Sequence, residues 1–145
     1  MKKLGLISLL IAAVLLSGCL APSIAVIVDP TPITVQQGQD SISLTLKFQM
    51  RGLGFFDLGT ATLILEDDNG AELIEKEFSI DKERIPVVPG FSHVENYILT
   101  FPADIEAKID DPILYDEYLL DRIYLLKISI TGTKNITTEV NVKFQ

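Results

Sequence analysis

The segment Gly90-Phe91-Ser92-His93-Val94 places the one histidine of the chain directly after a serine. A serine activated by a nearby base is what nucleophilic hydrolysis requires, and Gly-x-Ser-x-Gly presents such a serine on a sharp strand-to-helix turn. Here Val94 replaces the second glycine, and no helical pattern follows. In an extended strand His93 also faces the opposite side from Ser92. The segment therefore predicts a turn that leads into a strand with an exposed histidine.

The acidic run Glu66-Asp67-Asp68-Asn69-Gly70 has the composition of a calcium-binding loop. An EF-hand loop needs oxygen ligands at its first and last positions and glycine at its sixth. Alignment of Gly70 with that glycine puts Leu65 first and Lys76 last, so the run is predicted to be a solvated hairpin turn. A calcium site formed by carboxylates from separate loops stays open as an alternative.

Two pairs of adjacent carboxylates, Asp110-Asp111 and Asp116-Glu117, are candidates for acid and base chemistry. Neighbouring residues on a helix do not face each other, which makes either pair unsuitable for shared proton transfer. With one histidine, one cysteine and no phosphate-binding glycine motif, the chain lacks the residues for most metal, thiol and nucleotide chemistry. We therefore predict no catalytic residue, no metal and no cofactor, and a protein that is not an enzyme.

The amino-terminal residues carry an export signal. Lys2 and Lys3 precede an apolar run, Leu4 to Leu16, which is followed by small residues and then Cys19. This order is typical of a secretory signal peptide, and the run is shorter than the roughly 20 residues that span a bilayer core. The stretch Leu16-Ser17-Gly18-Cys19 resembles the lipobox of prokaryotic lipoproteins. The resemblance implies cleavage before Cys19 and a lipid on its thiol.

Export and lipidation together predict the location and the domain boundaries. A lone cysteine cannot form an internal disulfide, so the exported domain must be held together by its core. Two or three acyl chains on Cys19 would anchor the protein stably. We expect a signal peptide at 1–18, a lipidated tether at 19–23 and one domain at 24–145. The domain would lie on the extracytoplasmic face of a cell membrane, with inner or outer membrane left open.

The charge of the mature chain limits its partners. Removal of residues 1–18 leaves 127 residues and shifts the formal net charge from −8 to −10, because Lys2 and Lys3 are lost. A chain of this length is expected to form one domain. Phosphate binding needs a basic face, so a nucleic-acid partner is not expected. Anionic lipids would repel the domain as a whole, which leaves Cys19 as the predicted membrane attachment.

Apolar residues at every second position predict strands over most of the domain. The clearest strand runs from Ser41 to Met50, and a C-terminal strand is predicted to face Val140, Val142 and Phe144 inward. Asn69-Gly70 between apolar runs at 60–66 and 71–80 predicts a hairpin. Further strands are predicted at 93–101 and 123–131, together with an edge strand at 24–35 that is broken by Pro30 and Pro32 and changes direction there.

A different period marks residues 103–121, where Ile105, Ile109 and Ile113 recur among acidic residues. This spacing favours helix, and Asp111 before Pro112 is typical of a second helix start. That helix would bury Leu114, Tyr118 and Leu119. The chain is thus predicted to be a mainly β protein, a seven-stranded antiparallel β-sandwich with one helical crossover at about 103–121.

Two family resemblances agree with this architecture. Residues 29–38, Asp-Pro-Thr-Pro-Ile-Thr-Val-Gln-Gln-Gly, resemble the first strands of bacterial immunoglobulin-like domains. The segment Ile85-Pro86-Val87-Val88-Pro89-Gly90, then a strand, a helix and a strand ending in Gly132, resembles the late embryogenesis abundant type 2 family. That resemblance implies a sandwich with one helix, no cofactor and a role in stress protection. The chain has Arg51-Gly52-Leu53-Gly54 where that family has an Asn-Pro-Asn turn.

Two functions remain open at this stage. The first is a non-catalytic structural or protective module, and the second is a ligand- or protein-binding accessory subunit of an envelope complex. Exposure of Phe55 and Phe56 together with Phe91 at one edge would favour the second, because contiguous exposed apolar patches mark interaction sites. Asn135-Ile136-Thr137 is in addition an N-glycosylation acceptor sequence, with Asn135 expected in a turn at a strand edge.

Overall fold

The computed structural model of the chain describes residues 21–39, 41–102 and 111–145. These residues form eight strands and one helix. The strands are β1 (Ser23–Asp29), β2 (Ile33–Val35), β3 (Ser41–Arg51), β4 (Gly54–Glu66), β5 (Glu72–Val87), β6 (His93–Pro102), β7 (Ile123–Gly132) and β8 (Ile136–Phe144), and the helix is α1 (Pro112–Tyr118). The prediction of a mainly β chain is confirmed.

The strands form two sheets. The three-stranded sheet has the order β1-β3-β6 and the five-stranded sheet has the order β2-β8-β7-β4-β5. Pairing between the described strands is antiparallel except between β2 and β8, which are parallel. The predicted seven-stranded, wholly antiparallel sandwich is therefore wrong in strand number and in one strand direction.

The extra strand arises where residues 24–35 were predicted to form one edge strand. Pro30 and Pro32 have no N–H to donate to a sheet, so they separate two strands. Before them β1 pairs with β3, with Val28 opposite Leu46. After them β2 pairs with β8 in the other sheet, with Ile33 opposite Val142. The predicted interruption at the prolines and the edge position are confirmed, whereas the change of sheet was missed.

The core lies between the sheets and follows the predicted alternation. In β3 every second residue is buried, and in β8 the buried residues are the predicted Val140, Val142 and Phe144. No polar or charged residue is buried among those that the structure describes. Alternating strands with one apolar face thus account for the packing of both sheets.

The hairpin predicted at Asn69-Gly70 joins β4 to β5. The backbone N–H of Asp67 donates to the carbonyl oxygen of Ala71 at 2.9 Å, and Gly70 has a φ of 79°, a value that glycine adopts without strain. The two strands continue well beyond the predicted ranges. Their register shifts between Phe56 and Thr60, near the open end of the hairpin, and again between Leu65 and Glu66 beside the turn.

The helix α1 lies in the connection from β6 of one sheet to β7 of the other, as a crossover. Asp111 caps it, because its Oδ1 accepts from the N–H of Ile113 at 2.9 Å and of Leu114 at 3.2 Å. The buried residues are Tyr115 and Leu119, whereas the predicted Tyr118 is 41% exposed. The predicted helical residues 103–110 lie outside the described part of the chain.

The antiparallel order places the connections at two ends of the fold. The first end, called here the Gly52 end, carries the chain start at 21–22, the turn at 52–53, the loop at 88–92 and the turn at 133–135. The second, called the helix end, carries the turn at 67–71, strand β2 and helix α1. Ser23 pairs with Arg51, so the chain enters the fold beside the 52–53 turn.

Candidate functional site

Four exposed apolar side chains gather at the Gly52 end. Leu53 is 55% exposed, Phe55 and Val88 are each 56% exposed, and Phe91 is 75% exposed. We call these four residues the apolar tip. Side chains of this size are normally withdrawn from water, and a group of them on one surface marks an interaction site. The apolar tip is therefore the candidate functional site.

The register of β4 and β5 brings the apolar tip together. Phe55 is opposite Pro86, and Gly54 is opposite Val87, so Leu53 precedes and Val88 follows the last pair of the hairpin. At this end, the 52–53 turn connects β4 to β3 and the 88–92 loop connects β5 to β6, so both connections pass to the other sheet. Phe91 in that loop lines a shallow recess together with Pro86, Val88, Ser92 and His93.

Phe55 and Phe56 do not act together, contrary to the clustering that the sequence suggested. Successive strand residues face opposite sides of a sheet, and Phe56 is the one in the core, with no exposed surface. Phe55 lies on the outer side, where the Arg84 guanidinium carbon is 5.1 Å from the centre of its ring. This is a cation–π contact at an exposed site.

The serine and histidine of the Gly90–Val94 segment are not arranged for hydrolysis. Ser92 is exposed in the loop, and His93 begins β6 as predicted. His93 Nε2 lies 2.9 Å from Glu95 Oε1, two residues further along the same strand face. The histidine is half-buried, where the sequence predicted it to be exposed.

The acidic candidates are engaged in local backbone contacts. Asp67 Oδ1 accepts from the N–H of Asn69 at 2.9 Å and of Ala71 at 2.8 Å, which fixes the hairpin turn. Asp57 Oδ1 accepts from the N–H of Arg84 at 2.8 Å beside the irregular part of the hairpin. Asp111 caps α1, and no cluster of metal-ligating side chains occurs within the described ranges.

The charges of the domain are distributed unevenly between its two ends. The connections of the Gly52 end contain no acidic residue, and Arg51 and Lys134 are exposed there. Acidic residues lie slightly further in, on the strands. Among the described residues, the helix end carries Asp67, Asp68, Asp111, Asp116, Glu117 and Asp121, together with the basic Arg122 and Lys143.

Of the two predicted modification sites, glycosylation at Asn135 and lipidation at Cys19, only the first lies within the described residues. Asn135 is exposed in the turn between β7 and β8, where the sequence placed it, and its glycosylation stays a prediction. Cys19 lies outside the described residues. The first described residues after it, Ala21 and Pro22, are held at the Gly52 end. Lys134 Nζ donates to the carbonyl oxygen of Pro22 at 2.8 Å.

Three tyrosines at the edge of the core differ in how their hydroxyl groups are satisfied. Tyr115 donates to the carbonyl oxygen of Gln145 at 2.5 Å and Tyr124 to that of Tyr118 at 2.5 Å. The Tyr97 hydroxyl is buried without a partner among the described residues. Burial raises the pKa of all three, and the charge of Glu95 adds to the rise at Tyr97.

The fold resembles several solved structures. The periplasmic chaperone SfaE is 9% identical, with a TM-score of 0.52 over 83% of this chain and 57% of the chaperone. A late embryogenesis abundant protein is 15% identical, with a TM-score of 0.44 over 97% of this chain and 82% of that protein. A β-glucuronidase of glycoside hydrolase family 2 is 13% identical, with a TM-score of 0.42 over 84% of this chain and 11% of the enzyme.

These likenesses concern the fold alone. The chain spans little more than half of the chaperone's length. No family model matches the sequence, and no curated protein matches it either. The one helix in the described ranges, α1, is not long and apolar enough to cross a membrane.

Proposed function

We propose that this protein is exported and anchored by a lipid on Cys19, and that its β-sandwich acts without catalysis as a structural or protective module at the membrane surface. The amino-terminal pattern supports export and the lipobox resemblance supports the anchor. The domain would then lie on the extracytoplasmic face.

The observation that carries this proposal is how soon the fold begins after Cys19. Strand β1 starts at Ser23, four residues later, and Gly52 already packs against Ala21 and Pro22. An extended chain advances at most about 3.6 Å per residue, so the lipid and the first strand are separated by less than about 15 Å. A domain on so short a tether stays at the membrane surface.

The contacts of the candidate catalytic groups support a non-catalytic role. His93 contacts Glu95 in its own strand, while Asp67 and Asp111 hold backbone N–H groups of a turn and a helix start. Each of these side chains has a structural role where it stands.

The experiment is metabolic labelling with a fatty acid in a bacterial host. The wild-type chain should take up label and fractionate with membranes, and Cys19→Ser should lose the label. The double variant Cys19→Ser/Ser23→Cys keeps a single cysteine but moves it out of the lipobox, so it should also remain unlabelled. Label on Cys19→Ser would show that the anchor is not on Cys19, and label on the double variant alone would show that acylation does not require the lipobox position.

A second function, an accessory subunit that binds an envelope protein, is favoured by strand β6. This strand is an edge of the three-stranded sheet, and Val94 and Ile98 are 41% and 78% exposed on its outer side. An exposed edge can accept a strand from a partner. A pull-down of the intact protein from membranes should then yield a stoichiometric partner that Ile98→Lys loses, whereas Ile113→Lys, at a similarly exposed position on α1, keeps it.

A further inference from the structure

We propose that the Gly52 end is a membrane-docking surface, on which Leu53, Phe55, Val88 and Phe91 insert into the interfacial layer of the bilayer that holds the protein. This inference rests on the proposed function, because the anchor on Cys19 brings the two surfaces together. It adds an orientation: the Gly52 end faces the lipid and the helix end faces away.

The first support is that the chain leaves the fold at this end in a fixed place. A Cβ on Gly52 would lie 2.7 Å from the carbonyl oxygen of Ala21 and 2.8 Å from the Cα of Pro22, so the two segments are in direct backbone contact. The Lys134 Nζ also donates a hydrogen bond to the carbonyl oxygen of Pro22. The exit of the chain is thus fixed beside Leu53.

The second support is the reach of the chain. Cys19 precedes Ala21 by two residues, which span at most about 7 Å when extended. A lipid on Cys19 would therefore hold the 52–53 turn within roughly 10 Å of the bilayer surface. Apolar side chains of surface-bound proteins reach about 5–10 Å into the boundary between head groups and acyl chains. The apolar tip is therefore close enough to the bilayer surface to insert into it.

The third support is charge. Arg84 lies over the Phe55 ring, Arg51 directly precedes the 52–53 turn and Lys134 contacts Pro22, and basic residues near a membrane are attracted to anionic head groups. The acidic turn of Asp67 and Asp68 lies at the far end of β4, whose 13 residues span about 40 Å. At physiological salt charges are screened over about 8 Å. The charge of that distant turn is therefore screened from the bilayer, whereas Asp57 and Glu83 lie beside Arg84 and offset part of its attraction.

The anchor also favours the bilayer over a protein as the occupant of this surface. A partner on the apolar tip would have to fit between the domain and the membrane, within the roughly 10 Å that two extended residues and a head group leave. A single helix is about 10–12 Å wide with its side chains. A second copy of the domain is larger still.

A tryptophan reporter tests the proposal directly, because the chain has no tryptophan of its own. The full chain carrying Phe91→Trp is reconstituted into phosphatidylcholine vesicles with about a third phosphatidylglycerol, an anionic lipid. The acyl chains of the phosphatidylcholine carry bromine, a contact quencher. The matched control is Ile113→Trp at the helix end, where Ile113 is 76% exposed and Phe91 is 75% exposed. Leu53→Trp is a second reporter should Phe91→Trp not fold.

The expected result is emission shifted to the blue and quenched several-fold more for Phe91→Trp than for Ile113→Trp. Addition of Leu53→Ser and Phe55→Ser to the Phe91→Trp chain should reduce the quenching. Equal quenching at the two ends would overturn the proposal. A blue shift that grows with protein density and is insensitive to bromine would overturn it as well, because it would identify a second copy as the occupant.

The quenching result can be distinguished from the result of the fatty-acid labelling that tests the anchor. The full chain stays on the vesicle through a lipid on Cys19 or through its uncleaved apolar segment at 4–16. Fatty-acid labelling reports which of these applies, while quenching reports where the tip lies. Label without quenching at the tip would support the anchor on Cys19 and overturn docking. Quenching at the tip without label would support docking and overturn the anchor on Cys19.

Discussion

Gly52 packs directly on Ala21, with 2.7 Å between the Ala21 carbonyl oxygen and the position that a Cβ on Gly52 would occupy. The φ of Gly52 is 109°, outside the range that residues other than glycine prefer. The close contact with Ala21 and the positive φ of Gly52 have the same cause. The chain must pass from β3 into the other sheet at the same place where the amino-terminal segment enters the fold.

Replacement of Gly52 by alanine should lower the free energy of unfolding by about 1–3 kcal/mol, because the backbone must shift and φ becomes strained. Gly54→Ala is the control, since Gly54 has a φ of 139° but no atom within 4 Å of the added Cβ. Urea unfolding should show the larger loss at Gly52. Equal losses would mean that the contact with Ala21 contributes nothing.

The two tyrosines 97 and 115 should respond in opposite ways to loss of the hydroxyl. Tyr115→Phe removes the hydrogen bond to the Gln145 carbonyl and should cost about 1 kcal/mol. Tyr97→Phe removes a buried hydroxyl without a partner among the described residues and should be neutral or stabilising. Urea unfolding of both variants is the measurement. A clear loss at Tyr97 would indicate a partner beyond the described residues.

Local signals predicted much of this fold. The alternation in β3 and β8 reports which face is buried, the Asn69-Gly70 turn needs only its own residues, and Asp111 bonds to N–H groups two and three positions ahead. The four-residue spacing of isoleucines failed at Ile113, which is 76% exposed. The residues that reach the core here are Tyr115 of α1 and Leu119, the C-cap of the helix.

The candidate site depended on information that is not local. Alternation implies that Phe55 and Phe56 face opposite sides, but the buried parity of β4 changes at the register shift between Leu58 and Thr60, and this change places Phe56 inside. Leu53, Val88 and Phe91 come from two separate connections that sheet order brings together. The parallel pairing of β2 with β8 has the same cause, because three residues after a proline carry no signal for a distant partner.

The inward face of β8 can be tested with adjacent substitutions. Val142 has no exposed surface, and Val142→Asp would place an unpaired carboxylate in the core. The expected loss is several kcal/mol, a large part of the roughly 5–15 kcal/mol of a typical domain. Asn141→Asp adds the same group on the exposed face and should be nearly neutral. Similar melting temperatures for the two variants would contradict the described burial.

Calcium should leave the stability of the domain unchanged. A ligand bound only to the native state at a hundred times its Kd adds about 2.7 kcal/mol, which a thermal melt detects readily. Asp67→Ala should lower the melting temperature through loss of its two N–H contacts, by the same amount in calcium and in chelator. A chelator-induced drop that Asp67→Ala abolishes would instead identify a calcium site at this turn.

Alkaline pH should destabilise the domain, because the groups with a shifted pKa, three tyrosines and one lysine, all have a folded-state pKa above the ordinary value. Burial raises the pKa of Tyr97, Tyr115 and Tyr124 above the ordinary value of 10.0. The hydrogen bond from Lys127 to Glu66 likewise raises the pKa of that amine above 10.5. In each case the folded state holds its proton more tightly than the unfolded state.

A raised folded-state pKa contributes stability that is complete below the unfolded-state value and is lost as pH rises through the folded-state value. The free energy of unfolding should therefore be constant near neutral pH and fall from about pH 10 upward. Urea unfolding at a series of pH values measures this. The double variant Tyr97→Phe/Tyr124→Phe removes two of the titrating groups, so its stability should fall less steeply. A wild-type curve that stays level above pH 10, or an unchanged slope in the double variant, would show that these tyrosines do not couple ionisation to folding.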